Sequence, residues 1–327
     1  MTKILILGGG GMIGQKLARR IMAGSQAAEI TLFDRAFPPN GVAAECITGN
    51  VADPATAQTL AARRPDVIYH LAAVVSGQAE AEFEVGWDVN MMATWHLLMA
   101  LRAEHEASGG SYRPRFIFTS SIAVFGGPYP DKISDDFLTA PQTSYGAQKA
   151  ACEQMVGDFS RKGFVDGLSL RLPTITVRPG AANAAASSFF SGIIREPLNG
   201  LEAILPVPDT VRFWCASPRA AAGFLVQAAE IDTARLEGRR AMNLPGISCT
   251  VSEQIEALRR AAGQEAVDRI KPQIDPEIAR IVESWPRDFA PERALALGFE
   301  AESSFDEIIS VYLEDDLGKG CDPAGGA

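Results

Sequence analysis

The sequence predicts an α/β fold, a doubly wound parallel sheet with a smaller, interleaved C-terminal lobe that binds substrate. Three observations predict it. Short, nearly continuous apolar runs alternate with helix-period segments through the first half of the chain. The first run, Ile4-Leu5-Ile6-Leu7, passes at once into four glycines, and the second closes on an acid, Asp34.

The runs expected as strands are 3–7, 29–33, 44–47, 66–69, 115–119 and 167–170. Runs without polar alternation suit strands covered by helices on both faces. Helices are expected at 12–23, 54–62, 79–106 and 144–161. The third carries Phe83, Trp87, Met91, Trp95 and Leu98 at helical spacing, a stripe for core or subunit contact rather than for a cofactor. Residues 173–218 are rich in Pro, Gly, Ala and Ser with little sustained periodicity, and read as a loop-rich segment closing over a site. A helix is expected at about 218–230 and a strand at 240–244. Thr250 with Glu253 makes a capping box opening a helix to 262. Asp275-Pro276 and Pro291 read as helix starts, Gly298 as a stop and 319–327 as a disordered tail. A dinucleotide domain is thus expected over 1–173, with later contributions from about 211–245, and the lobe over most of 174–318.

At 327 residues and 47% hydrophobic, the chain can bury a substantial core. A net charge of -10 argues against nucleic acid and anionic membrane as partners. The five cysteines (Cys46, Cys152, Cys215, Cys249, Cys321) are scattered, without a CxxC pair, and only three histidines are present. That pattern suits reduced thiols, a cytoplasmic location and no metal site. No apolar run approaches the roughly 18 residues of a membrane span. The run at 4–7, stopped by glycine, suits a strand better than a secretory leader.

Gly8, Gly11 and Gly14 space the first turn as G-x-x-G-x-x-G, with Met12 and Ile13 opening the helix. Glycines there let a pyrophosphate approach main-chain N–H groups at a helix N-terminus. Asp34, twenty residues after Gly14, is placed to accept both hydroxyls of a ribose and to repel a 2′-phosphate. NAD is therefore the expected cofactor; Arg35 beside it is the one feature that would suit NADP. Asn50 and Val51, then Leu71, Ala72 and Ala73, follow the third and fourth strands at the edge where such sheets bind ligands. His70 reads as a packed structural histidine.

Tyr145 and Lys149 are four apart on one face of a helix. A tyrosine of ordinary pKa near 10 is too weakly acidic to serve as a base at neutral pH, and an adjacent ammonium favours its anion. Ser121, at the exit of the fifth strand, can donate to a developing oxyanion; Ser120 is its rival.

Taken together, residues 8–14, Asp34, HLAA at 70–73, Asn90, SSIAVFG at 120–126, YGAQK at 145–149, Arg171-Leu172-Pro173 and the late Leu-Gly-Phe at 297–299 resemble an extended short-chain dehydrogenase/reductase. The resemblance covers essentially the whole chain. Within that superfamily, HLAAVVS at 70–76, RLPTITVRPG at 171–180 and ANAAASS at 182–188 are most similar to its sugar-acid dehydrogenases. It implies NAD-linked oxidation of the C2 hydroxyl of a four-carbon sugar acid, with Tyr145 as base, Lys149 also on the nicotinamide ribose and Ser121 orienting the hydroxyl. It implies further that Asn90, Pro173 and Thr174 border the cofactor, and that helices 79–106 and 144–161 build a homodimer or larger homo-oligomer.

Two departures from the pattern of that superfamily bear on cofactor and substrate. Asn50 stands where extended nucleotide-sugar enzymes carry Asp, and of their Arg-Asp and later His-Val-Asp only Arg212 remains within Val211 to Ser217. An Asn carbonyl can still accept from the adenine amino group, so the first leaves cofactor binding in place; the second argues for something smaller than a nucleotide sugar. A sugar acid needs a cation for its carboxylate, and Arg178 and Arg212 are the two choices. Ser76, Asn183 and Ser187 are its possible hydroxyl partners. The alternatives are a nucleotide-sugar epimerase or dehydratase with tightly held NAD, L-threonine as substrate, and a non-catalytic NAD sensor.

Overall fold

A computed structural model of the chain describes residues 1–24, 28–180 and 187–317. The elements run β1 Thr2–Leu7, α1 Met12–Gly24, β2 Ala28–Asp34, β3 Glu45–Thr48, α2 Pro54–Ala62, β4 Val67–His70, α3 Ser76–Ala81, α4 Phe83–Gly86, a π-helical turn Trp87–Met92, α5 Ala93–Ala107 and β5 Arg115–Ser121. They continue with β6 Ile133–Ser134, α6 Ser144–Arg161, β7 Asp166–Leu172, β8 Thr174–Ile175, α7 Ser188–Leu198, β9 Ala203–Leu205, β10 Arg212–Ala216 and α8 Pro218–Glu230. The last are β11 Ala241–Asn243, β12 Ile247–Thr250, α9 Val251–Val267, β13 Ile270–Pro272, α10 Pro276–Glu283, β14 Phe289–Ala290, α11 Glu292–Ala296 and α12 Phe305–Asp315.

The chain divides into two compact units. The first takes Met1–Val124, Pro141–Leu172 and Ala222–Met242. It is built on a seven-stranded sheet in the order β3-β2-β1-β4-β5-β7-β11. The pairs β1–β2, β1–β4, β2–β3, β4–β5 and β5–β7 are all parallel. This is a Rossmann-type order, and its direction reverses between β1 and β4, the switch point beside which ligands bind. Leu5, Leu7, Ile68, Phe116 and Phe118 lie in one buried cluster with Leu97, Leu98 and Val156 from the helices. Covering helices are why the strands read as unbroken apolar runs.

The expected helix over 79–106 is broken. Glu82 leaves the helical region (φ −119°, ψ 73°), and the chain then passes through the π-helical turn before α5. The apolar stripe divides accordingly: Leu98 is buried in the core, whereas Phe83 is 60% exposed and Trp95 38%.

The second unit takes Phe125–Ala140, Pro173–Ala221 and the residues from Asn243 onward. It contains a three-stranded sheet, β12-β10-β8, and two small two-stranded pairings, β13-β9 and β14-β6. Its core joins Phe190, Ile193 and Ile194 of α7 to Phe213, Val251, Leu258 and Ile308. Residues 173–218 are therefore not mainly loop. They hold an eleven-residue helix, α7, and three strands, because Phe189, Phe190, Ile193 and Ile194 form a short apolar stripe among small residues. The helix α12 also lay outside the sequence expectation. Thr250 and Glu253 form a reciprocal capping box on α9, which runs on to Val267 across a break at Gly263 (φ 79°, ψ 179°). The four described cysteines are free thiols, with the sulfurs of Cys215 and Cys249 3.9 Å apart. No described helix is long and apolar enough to cross a membrane. The expected tail at 319–327, and Cys321 with it, lie outside the described residues.

Candidate active site

The turn after β1 is shaped by its glycines, and at Gly9 a Cβ would stand 2.8 Å from that of Leu32. Gly8 has φ +82°, and a Cβ there would stand 2.8 Å from the backbone nitrogen of Ala72, so the exits of β1 and β4 touch at the switch point. A Cβ on Gly10 would meet the carbonyl oxygen of Ala36 at 2.0 Å, and one on Gly14 that of Gly8 at 2.3 Å. Gly11 differs, since its nearest neighbour would be 3.4 Å away. Gly11 is thus spared by the fold, leaving open space at the mouth of α1, where Met12 and Ile13 begin the helix. That is the cradle a dinucleotide pyrophosphate requires. Gly10 was missed because the G-x-x-G-x-x-G spacing steps over it; its tie to Asp34 is a tertiary contact.

Asp34, the last residue of β2, accepts from the N–H of Gly10 at 2.9 Å through Oδ2 and from that of Arg35 at 2.7 Å through Oδ1. Each oxygen keeps a lone pair for a ribose hydroxyl. Asn50 is exposed and its Oδ1 accepts from the N–H of Ala52, whereas Val51 is buried. Leu71 and Ala72 are half-buried and Ala73 exposed along the exit of β4. Asn90 is buried with its amide committed, Oδ1 to the N–H of Val74 at 2.9 Å and Nδ2 to the carbonyl of Val74 at 3.2 Å and to Gln148 Oε1 at 2.8 Å. It therefore shapes the β4 exit through Val74. Ser76 begins α3.

Thr143 caps α6 by accepting from the N–H of Gly146, which sets Tyr145 and Lys149 on its first turns. A Cβ on Gly146 would lie 2.2 Å from the carbonyl oxygen of Ala123, so α6 presses directly on the exit of β5. Ser121, the last residue of β5, accepts from the N–H of Ala123 at 3.1 Å and lies close enough to the Tyr145 phenol to lower its pKa. Burial pushes Tyr145 up to about 12, and the Ser121 hydrogen bond pulls the other way. Lys149 is buried; its Nζ donates to the carbonyl of Thr119 at 2.8 Å and lies 5.6 Å from the centre of the Tyr145 ring. Burial lowers it to about 8. The Ser120 hydroxyl is committed elsewhere, donating to Glu153 Oε1 at 2.6 Å. His70 is fully buried against Thr94, Phe116 and Phe118.

In the second unit, Pro173 is buried and Thr174 opens β8. Arg212 donates to the carbonyl and hydroxyl of Ser248 and stands 3.6 Å from Glu253. Arg178 has its backbone pinned on both sides: its N–H donates to Ser191 Oγ at 3.2 Å, and its carbonyl accepts from Arg195 at 2.8 Å. Burial and the Arg195 charge both lower its pKa. Val177 before it sits at φ 55°, in the left-handed region a β-branched residue avoids. Ser187 precedes α7 as its N-cap; Asn183 lies outside the described residues.

A Rossmann-type sheet, a glycine cradle with a carboxylate across it, and a serine, tyrosine and lysine gathered at one strand exit define an NAD-dependent oxidoreductase acting on a CH–OH group. Residues 4–230 match the model of the NAD dependent epimerase/dehydratase family, and the chain belongs to that family, with NAD as its cofactor. It is 46% identical to a D-erythronate dehydrogenase of Cupriavidus necator over 95% of this chain and 98% of that one. It is 39% identical to a D-erythronate dehydrogenase of Haemophilus influenzae over 96% of this chain and all of the other. Among solved structures it is similar to a nucleoside-diphosphate-sugar epimerase from Agrobacterium tumefaciens, 49% identical with a TM-score of 0.92, covering 98% of this chain and 96% of that one.

Proposed function

We propose that this enzyme oxidises D-erythronate at C2 to 2-dehydro-D-erythronate. The observation that carries the reading is the near full-length likeness to two D-erythronate dehydrogenases. NAD, when bound, supplies the acceptor for the hydride leaving C2. Gly8, Gly11, Met12, Ile13 and Gly14 hold its pyrophosphate, Asp34 a ribose, Asn50 and Val51 the adenine end; Leu71, Ala72, Ala73, Asn90, Pro173 and Thr174 border the rest. Tyr145 takes the proton from the C2 hydroxyl, whose oxygen Ser121 holds, and the Lys149 ammonium favours the tyrosinate that must form first. Arg178 is the better carboxylate partner, because Arg212 is already tied to Glu253 while the charge beside Arg178 is a second cation, Arg195. Ser76, Asn183 and Ser187 serve its hydroxyls.

The same reading puts the enzyme in the cytoplasm as a homodimer, with the exposed Phe83 and Trp95 on the joining face. Sedimentation of a monomer at micromolar concentration would remove the dimer.

The test is NADH absorbance on adding NAD with D-erythronate, beside L-erythronate, D- and L-threonate, glycerate and L-threonine, in wild type and Tyr145→Phe. NADH with D-erythronate alone, abolished in the variant, is the expected result. The Agrobacterium likeness favours a second reading, epimerisation of a nucleotide sugar. Silence with every acid, together with inversion of a nucleotide sugar without net NADH, would replace the first reading by the second.

A further inference from the structure

Lys149 and Glu153 are one turn apart on α6, a spacing at which an ammonium and a carboxylate pair. They do not pair. Oε1 of Glu153 accepts from Arg171 Nε at 2.9 Å and from the Ser120 hydroxyl at 2.6 Å, and Oε2 accepts from Arg171 Nη2 at 2.8 Å. The Arg171 and Glu153 side chains are only 8% and 1% exposed. Lys149 turns instead to the carbonyl of Thr119.

We propose that Arg171 is a positioning residue for the catalytic centre: its two-point grip on Glu153 keeps that carboxylate off Lys149 and locks Ser120, leaving the Lys149 charge to act on Tyr145. The inference rests on the reading of Tyr145 as the base. Its physical ground is that a buried carboxylate beside Lys149 would cancel the field the phenol needs, whereas a bidentate guanidinium neutralises it in place. The other ionisable groups around Lys149 are Tyr145 and Cys152 on α6 and His70 on β4; of these, neutral His70 and thiol Cys152 do not compete for the ammonium.

Arg171→Met frees Glu153, and Arg171→Lys serves in its place should the first not fold, since one ammonium cannot hold both oxygens. The expected result is that the rise of kcat/KM with pH moves up by about one unit, a tenfold loss at fixed pH on that limb. Glu153→Gln added to Arg171→Met returns the limb to its wild-type position. A second readout needs neither cofactor nor substrate. In the wild-type apo protein the buried Lys149 costs stability that is recovered as pH rises from about 8 to 10.5. In Arg171→Met that recovery, measured as melting temperature against pH with Lys149→Met as the blank, should shrink, and the double variant should restore it. A limb and a melting profile that keep their wild-type shape in both Arg171 variants, merely scaled down, would overturn the proposal. If wild type oxidises no acid at all, the functional reading fails while the melting arm still tests this inference.

Discussion

The N–H of Gly10 donates to Oδ2 of Asp34 at 2.9 Å, so the carboxylate proposed to receive the ribose also fastens the glycine turn after β1 to the end of β2. Asp34→Asn keeps the volume and removes the charge. Loss of charged hydrogen bonds should weaken NAD binding by about 10- to 100-fold. NADP, no longer repelled and with Arg35 alongside, should lose less or gain. Titration of both cofactors into the variant checks this. An unchanged ratio of the two affinities would mean that Asp34 sets the loop and not the choice of cofactor.

The glycines of the turn should separate by what they serve. Gly10→Ala places a methyl 2.0 Å from the Ala36 carbonyl, and must shift backbone. It should lower the melting temperature as well as NAD affinity. Gly11→Ala meets nothing closer than 3.4 Å, so the fold should keep its melting temperature while NAD binding falls. Differential scanning calorimetry with and without NAD distinguishes them. Equal melting losses in both variants would contradict the assignment of Gly11 to the ligand.

What could be read in advance follows the range of the forces involved. The helices Pro54–Ala62 and Ser144–Arg161 begin where Asp53 and Thr143 cap them, and a cap is visible within three residues. The strands of the parallel sheet announce themselves by composition, because both faces are buried. The break at Glu82 and the π-helical turn had no such local sign. They sit where Gly86 packs against Gln148 and where Asn90 bonds to Gln148, 58 residues away in the chain. Likewise, Ser120 and Ser121 are the same residue type side by side. What sorts them is Glu153, thirty-three positions on from Ser120, with Arg171 behind it. Residue type and spacing are local signals; the buried polar ties that orient these side chains depend on the fold.

As the proposed base, Tyr145 must ionise to accept a proton, and burial holds its phenol up to about 12. Oxidation should therefore speed up as pH rises. The Ser121 hydrogen bond is the influence that lowers this pKa, so Ser121→Ala should push the limb of kcat/KM further up, by about one to two units. The pH profile of NADH formation checks it. A lower rate with the limb in place would mean that Ser121 touches only the substrate.

His70 gives the fold an acid-sensitive point. Burial above all, and then the Lys149 charge, lower its pKa from 6.5 to about 3. Between those values the unfolded chain holds a proton that the folded one does not. The stability contributed by the neutral ring is therefore complete above 6.5 and is lost as pH falls toward 3, at up to about 1.4 kcal/mol per pH unit. Urea unfolding of the apo protein at pH 7, 6 and 5 should show this decline. His70→Asn should be less stable at pH 7, having lost the ring that packs on Phe116 and Phe118, yet decline less steeply below 6.5. Parallel declines in the two proteins would show that the acid sensitivity resides in other groups.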